Sequence, residues 1–159
     1  MRALVVYDSV FGNTERVAQA MGEALEPLGD VDRCRVTAVE PEELTAVDLL
    51  IVGSPTRGFR PTSAAKNLLR RIPARGLDGV RVAAFDTRFG IEEMNSAILS
   101  FLVRLFGYAA EPLANTLEKK GGELGIDPEG FIVEGTEGPL RDGELERAAD
   151  WAKRIVEAG

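Results

Sequence analysis

Histidine is absent from the 159 residues, and the chain has one cysteine and one tryptophan. Without an imidazole, Ser-His and Cys-His nucleophilic catalysis, His-ligated zinc and imidazole acid–base chemistry are excluded. A lone cysteine, Cys34, cannot form an internal disulfide or a cysteine-cluster metal site. It falls in a predicted strand, where it reads as a small packing residue. The sequence shows neither G-x-x-x-x-G-K-[ST] nor G-x-G-x-x-G, so the P-loop and the dinucleotide fingerprint are both missing. No apolar run has membrane-spanning length and the N-terminus lacks the shape of a signal peptide, so a cytoplasmic location is expected. Repeats, linkers and low-complexity segments are also lacking, and the length suits a single domain over residues 1–159. Cations are outnumbered: the net charge is −7, with acids spread along the chain. That argues against nucleic acid or an anionic membrane as a partner, and it is compatible with basic partner proteins without demanding them.

What is present is an alternation of strand and helix patterns, which predicts an α/β domain with a mainly parallel sheet. Strands are expected at about residues 2–7, 31–37 (charged, hence an edge), 48–53 (apolar throughout, hence buried on both faces), 80–85 and 131–134. A helix is expected over 13–26, with Asn13 or Thr14 as its N-cap and Pro27 and Gly29 after it. Pro41 to Leu44 reads as a helical turn. The next helix should bury Ala65, Leu68, Leu69 and Ile72; another carries Met94, Ile98, Phe101, Leu102 and Leu105 up to Gly107, its aromatic residues reading as core or dimer contacts; a further one ends near Lys120. The last, about 143–158, should face inward with Leu145, Ala148, Ala149, Ala152, Ile155 and Val156.

Five strands in this rhythm predict a doubly wound parallel sheet of order 2-1-3-4-5 in a three-layer α/β/α arrangement. Its chain direction reverses between strands 1 and 3, and ligands bind at such a switch point, outside the carboxyl ends of the strands. The loops after strands 1, 3 and 4 would converge there. The first, Ser9-Val10-Phe11-Gly12-Asn13-Thr14, ends a strand and opens a helix. Free backbone N–H groups and the positive end of the helix dipole suit such a loop to a phosphate, held here by neutral donors.

This loop resembles the phosphate loop of the flavodoxins and flavodoxin-like proteins, usually Thr/Ser-x-Thr-Gly-Asn-Thr. Val52-Gly53-Ser54-Pro55-Thr56 resembles the family's second loop, often Gly-x-Pro-Thr, and Phe85-Asp86-Thr87-Arg88 occupies the place of the third. The resemblance spans essentially the whole chain and implies flavin mononucleotide (FMN) as cofactor. It places the phosphate on Ser9, the Phe11 backbone, Asn13 and Thr14, with Val10 and Gly12 in the same loop. Pro55, Thr56 and Arg57, with Gly58 and Phe59, would line one side of the flavin ring; Thr87, Arg88, Phe89 and Gly90 would line the other. Two departures stand out. Trp151 lies in the last helix, away from the loops, which leaves Phe59 and Phe89 as candidate ring partners. Phe11 replaces a threonine, which removes one hydroxyl donor. Arg57 and Arg88, placed near the ring, would stabilise the anionic reduced flavin and make its potential less negative.

The resemblance implies an electron carrier that works with a reductase and an acceptor protein, as a monomer or homodimer. Two other functions stay open: an FMN-dependent NAD(P)H:quinone or flavin reductase, with Arg57, Arg60 and Arg88 binding a pyridine nucleotide or an anionic substrate, and a cofactor-free interaction module.

Overall fold

A strand covered by helices on both faces has no reason to alternate polar and apolar residues. β3 (Leu49–Pro55) shows this: its first six residues are all buried. The computed structural model describes residues 1–90 and 96–159. β3 pairs in parallel with β1 (Arg2–Tyr7) and β4 (Arg81–Phe89), and β2 (Asp30–Arg35) forms the outer edge beside β1. Charged residues on β2 protect that edge from adventitious pairing. On the far side of β4 lie β5 (Glu123–Leu124) and β6 (Glu129–Val133). The order is therefore β2-β1-β3-β4, followed by a fifth position shared by two short strands.

The sheet is sandwiched. α1 (Asn13–Leu25) and α6 (Glu144–Glu157) cover one face, burying Val17, Met21, Leu25, Ala148, Trp151 and Ile155 against Val5, Ile51 and Phe85. α3 (Ser63–Arg70) and α5 (Ala110–Lys119) cover the other with Leu68, Leu69, Leu113 and Leu117, while α2 (Pro41–Leu44) adds Leu44. Trp151 packs edge-on to Phe85 and Phe131, with ring centroids 6.4 and 6.2 Å away. The only tryptophan is thus a core residue. Gly53 makes this cluster possible, because a Cβ there would collide with the Phe85 ring.

Several expectations are corrected. The fifth strand was expected at 131–134 as one piece; it begins at Glu129 and is preceded by the two-residue β5, separated by Gly125 to Pro128. Two residues carry no detectable periodicity, and Pro128 has no N–H to offer a ladder. The ends of β3 and β4 run further than expected, because Ser54 and Pro55 pair with Asp86 and Thr87, and β6 pairs with Phe85 to Phe89. The third loop is therefore largely strand. On α4 (Ala97–Phe106), Ile98, Phe101 and Leu105 are exposed, while Val103 is buried, so Phe101 is not a core residue of this chain. Apart from the sector of Ser100 and Arg104, the helix surface is apolar, a stripe too wide to be buried on one face. Met94, expected on this helix, lies outside the described residues. Residues 97–119 contain a stretch apolar enough to cross a membrane. It is divided at Gly107 (φ 72°), and in the second half Leu113, Ala114 and Leu117 belong to the core.

At the sheet end beside α6, Glu144 accepts hydrogen bonds from the Ile132 N–H at 2.6 Å and from Arg147 Nη2 at 2.7 Å and Nε at 2.9 Å. Burial works to raise this carboxyl, but Arg147, the Ile132 N–H and Arg141 outweigh it and hold it below its ordinary value of 4.5. A lowered carboxyl contributes stability that is complete above the ordinary value and fades as pH falls through the lower folded value. Urea unfolding should therefore find Glu144→Gln about 1–3 kcal/mol less stable at neutral pH, with the gap closing in acid. A gap independent of pH would contradict the charged interaction.

Candidate cofactor site

The carboxyl ends of β1, β3 and β4 open into a cavity of about 250 Å³. β1 ends at Tyr7, and the chain turns through Asp8 to Gly12 before α1 begins. Gly12 makes that turn at φ 92°, a left-handed conformation that L side chains rarely adopt. Neither Asn13 nor Thr14 is the N-cap. Gly12 takes that position without a side-chain cap. Ser9 takes over part of the capping role: its hydroxyl accepts the N–H of Gly12 at 3.1 Å and of Glu15 at 3.4 Å. The amide of Asn13 instead donates to the Glu137 carbonyl at 3.0 Å, and the buried Thr14 hydroxyl bonds that of Thr87 at 2.8 Å. The backbone N–H groups of Val10, Phe11, Asn13 and Thr14 accordingly have no acceptor among the described residues. Unpaired donors at a helix N-terminus form an anion cradle.

Behind the cradle stands Arg35, from the end of β2. Its Nη1 donates to the Ser9 carbonyl at 3.0 Å, and its Nη2 to Glu15 at 3.1 Å. The Tyr7 hydroxyl also donates to Glu15, at 2.9 Å. Burial, reinforced by that hydrogen bond, pushes the Tyr7 hydroxyl above its ordinary value. Glu15 in the first turn of α1 would compete with a bound anion; Arg35 neutralises it. Arg35 was missed because its signal is topological: only the order β2-β1-β3 brings the end of β2 beside the loop after β1.

The loop after β3 is tied down by Thr56, whose N–H donates to the Thr87 carbonyl at 3.0 Å and whose hydroxyl accepts the Ala109 N–H at 3.1 Å. Beyond it, Arg57 and Arg60 exchange backbone hydrogen bonds of 2.8 and 3.0 Å. The turn between them has Gly58 at φ 54° and Phe59 at φ 67°. A positive φ is costly for Phe59, which lines a neighbouring groove with Arg60 and Pro112. Phe59 is therefore not a wall of the cavity. Gly12 and Gly90 do not line it either, whereas Ser9, Val10, Phe11, Asn13, Thr14, Pro55, Thr56, Arg57, Gly58, Thr87, Arg88 and Phe89 do. Val133 and Thr136 complete the wall from the end of β6. They escaped the sequence reading because β6 reaches the site only through its pairing with the extended β4. Val10, Phe11 and Phe89 are partly exposed at the rim.

Arg88 does not bring a free charge to the cavity. Its guanidinium is bidentate to Asp86, with Nε to Oδ1 at 2.6 Å and Nη2 to Oδ2 at 2.7 Å, and it lies 3.7 Å from the Tyr108 ring centroid. Asp86 is fully buried and also accepts the Ala110 N–H at 2.9 Å. Burial pushes the Asp86 carboxyl upward against the pull of Arg88 and that N–H. Gly130 leaves room for this pair, since a Cβ there would overlap the guanidinium. Arg57, whose guanidinium is 6.0 Å from the Phe11 ring centroid, is the exposed cation of the cavity wall. Among the described residues no cluster of three or more His, Cys, Asp or Glu could hold a metal.

A family model described as Flavodoxin matches residues 5–151. No curated protein matches the chain. Among solved structures, flavodoxin 2 from Bacillus cereus, in its oxidised form, is 23% identical over the full length of both chains, with a TM-score of 0.79. A flavodoxin from the domain Archaea is 24% identical, covering 99% of this chain and 97% of that one, with a TM-score of 0.74. The rubredoxin oxygen:oxidoreductase of Desulfovibrio gigas is 21% identical with a TM-score of 0.74; the match covers 99% of this chain but 35% of that one. At these identities the three share the fold of this chain.

Proposed function

Because the chain belongs to the flavodoxin family, we propose that it binds FMN in the cavity at the switch point and serves as an electron carrier. The observation that carries this reading is the cradle of four backbone N–H groups, at the start of α1, without acceptors among the described residues. A phosphate monoester meets those donors, and the cavity beside them suits a flat, largely apolar ring between the Pro55–Arg57 and Thr87–Phe89 walls. The residues present fit the group. Val10, Phe11, Asn13 and Thr14 would hold the phosphate through the backbone, and Ser9 keeps the loop in shape. FMN supplies the redox chemistry when bound. Val10, Phe11 and Phe89, exposed at the rim, would cover the edge of the ring, and Arg35 offsets the charge of Glu15.

The decisive experiment is the visible spectrum of the purified protein before and after FMN addition and dialysis. Flavin absorbance that survives dialysis, or saturable uptake, is expected. A colourless protein that leaves FMN fluorescence unquenched would overturn the proposal and favour a cofactor-free interaction module.

The potential should be set by Arg57 rather than by Arg88, whose charge Asp86 cancels. A unit charge about 4 Å away in bulk-water dielectric is worth about 1 kcal/mol. Potentiometric titration should find Arg57→Gln more negative than the parent by an effect of that order. An unchanged midpoint would remove Arg57 from the flavin's field.

A further inference from the structure

The chain carries a net charge of −7, yet from Leu49 to Leu77 it has six cations and neither Asp nor Glu. Two of the six are neutralised: Arg71 pairs with Glu40 at 2.7 Å and Arg75 with Asp78 at 2.8 Å. Among the described residues, Arg57, Arg60, Lys66 and Arg70 pair with no carboxylate. Arg57, Arg60 and Arg70 are exposed and Lys66 is half-exposed.

These four line three neighbouring depressions that share wall residues. Gly58 lines both the cofactor cavity and a groove with Arg60 and Pro112. Pro112 in turn lines the groove between α3 and α5, where Lys66 and Arg70 stand over a floor of Leu69 and Leu113. Lys120 closes the far end, but its ammonium donates to the carbonyls of Ile72 at 2.6 Å and Arg70 at 3.2 Å. It caps α3 and is not available in the way the other four are. Lys66 and Arg70 lie one turn apart on α3 and repel each other, so this spacing does nothing for the isolated helix.

We propose that this strip is the docking face for an acidic redox partner, a protein whose carboxylates lie along α3 while its redox centre meets the cofactor cavity at Gly58. The proposal rests on the FMN reading for electron transfer but not for docking. The chain's net charge would repel such a partner at long range. Within a Debye length of about 8–10 Å the local cations decide the sign. A protein fits better than a small anion because the cations stand on solvent-facing rims, whereas small ligands are enclosed by their sites.

The test is ¹⁵N NMR of the protein, with and without FMN, titrated at low salt with decaglutamate as the acidic probe. The largest amide shifts should map to residues 57–70 and to the start of α5. Lys66→Glu combined with Arg70→Glu, both surface changes, should weaken the probe's binding about tenfold or more while leaving other amides in place. Shifts that are absent, or centred elsewhere, would overturn the proposal. So would NADPH that saturates the strip and displaces the peptide, since the face would then be a small-anion site. Peptide mapping without FMN uptake would sink the cofactor reading and leave the docking face intact. With FMN loaded and the protein reduced, ferricyanide should oxidise it at a rate that falls as salt rises. A rate that climbs with salt would show the net charge governing, and would overturn the proposal too.

Discussion

FMN is expected to bind this protein at least about a hundredfold more tightly than riboflavin. The two ligands differ only in the phosphate. Four backbone N–H groups, those of Val10, Phe11, Asn13 and Thr14, have no acceptor among the described residues. Each hydrogen bond to a charged group is worth roughly 1.5–3 kcal/mol, so two well-formed bonds would reach a hundredfold. The helix dipole adds to this. Glu15 opposes it, which gives Arg35 a definite role. Arg35→Gln should weaken FMN by about tenfold and leave riboflavin nearly unchanged, because it releases Glu15 beside the phosphate and nothing beside the ring. Fluorescence titrations of both ligands against both proteins read these effects. Equal affinities for FMN and riboflavin in the parent protein would remove the anion cradle from the account.

Asp86→Ala should be the most destabilising single change at the site, costing about 3–5 kcal/mol in urea unfolding. The carboxylate is fully buried and holds both Arg88 and the Ala110 N–H. Truncating it leaves a guanidinium that is 20% exposed without its counter-charge. The pair itself contributes less than its breakage costs, because desolvation consumes most of its attraction. Combining Asp86→Ala with Arg88→Met should therefore recover a large part of the loss. A double variant as unstable as the sum of the two singles would show that the residues act separately.

Several site residues were legible because they sit in a strand–loop–helix context that the sequence displays directly. Ser9 to Thr14 belongs to this class: apolar run, hydroxyl- and Gly-containing loop and helical period are contiguous, and the loop lies where that order predicts. Roles within the loop were less legible. Asn13 and Thr14 both look like N-caps, but Asn13 turns to Glu137 and Thr14 to Thr87, partners far away in sequence. Phe59 and Phe89 looked equivalent as aromatic walls. Phe59 lines another groove, and of the two only Phe89 lines the cavity. Arg88 looked like a free cation because i,i+2 proximity to Asp86 signals a contact only in a strand, and this segment read as a loop.

By itself the sequence determined the strand–helix alternation, the doubly wound order, the three converging loops and the absence of imidazole chemistry and of any internal disulfide. These follow from residue periodicity and composition, which are local or additive. Only the tertiary structure decided which charges are free. Arg88 is cancelled and Arg57 is not, Arg35 serves the phosphate loop from another strand, and the acid-free segment becomes one solvent-facing strip. Electrostatic roles depend on distances between residues that the chain brings together from far apart, and no periodicity records those distances.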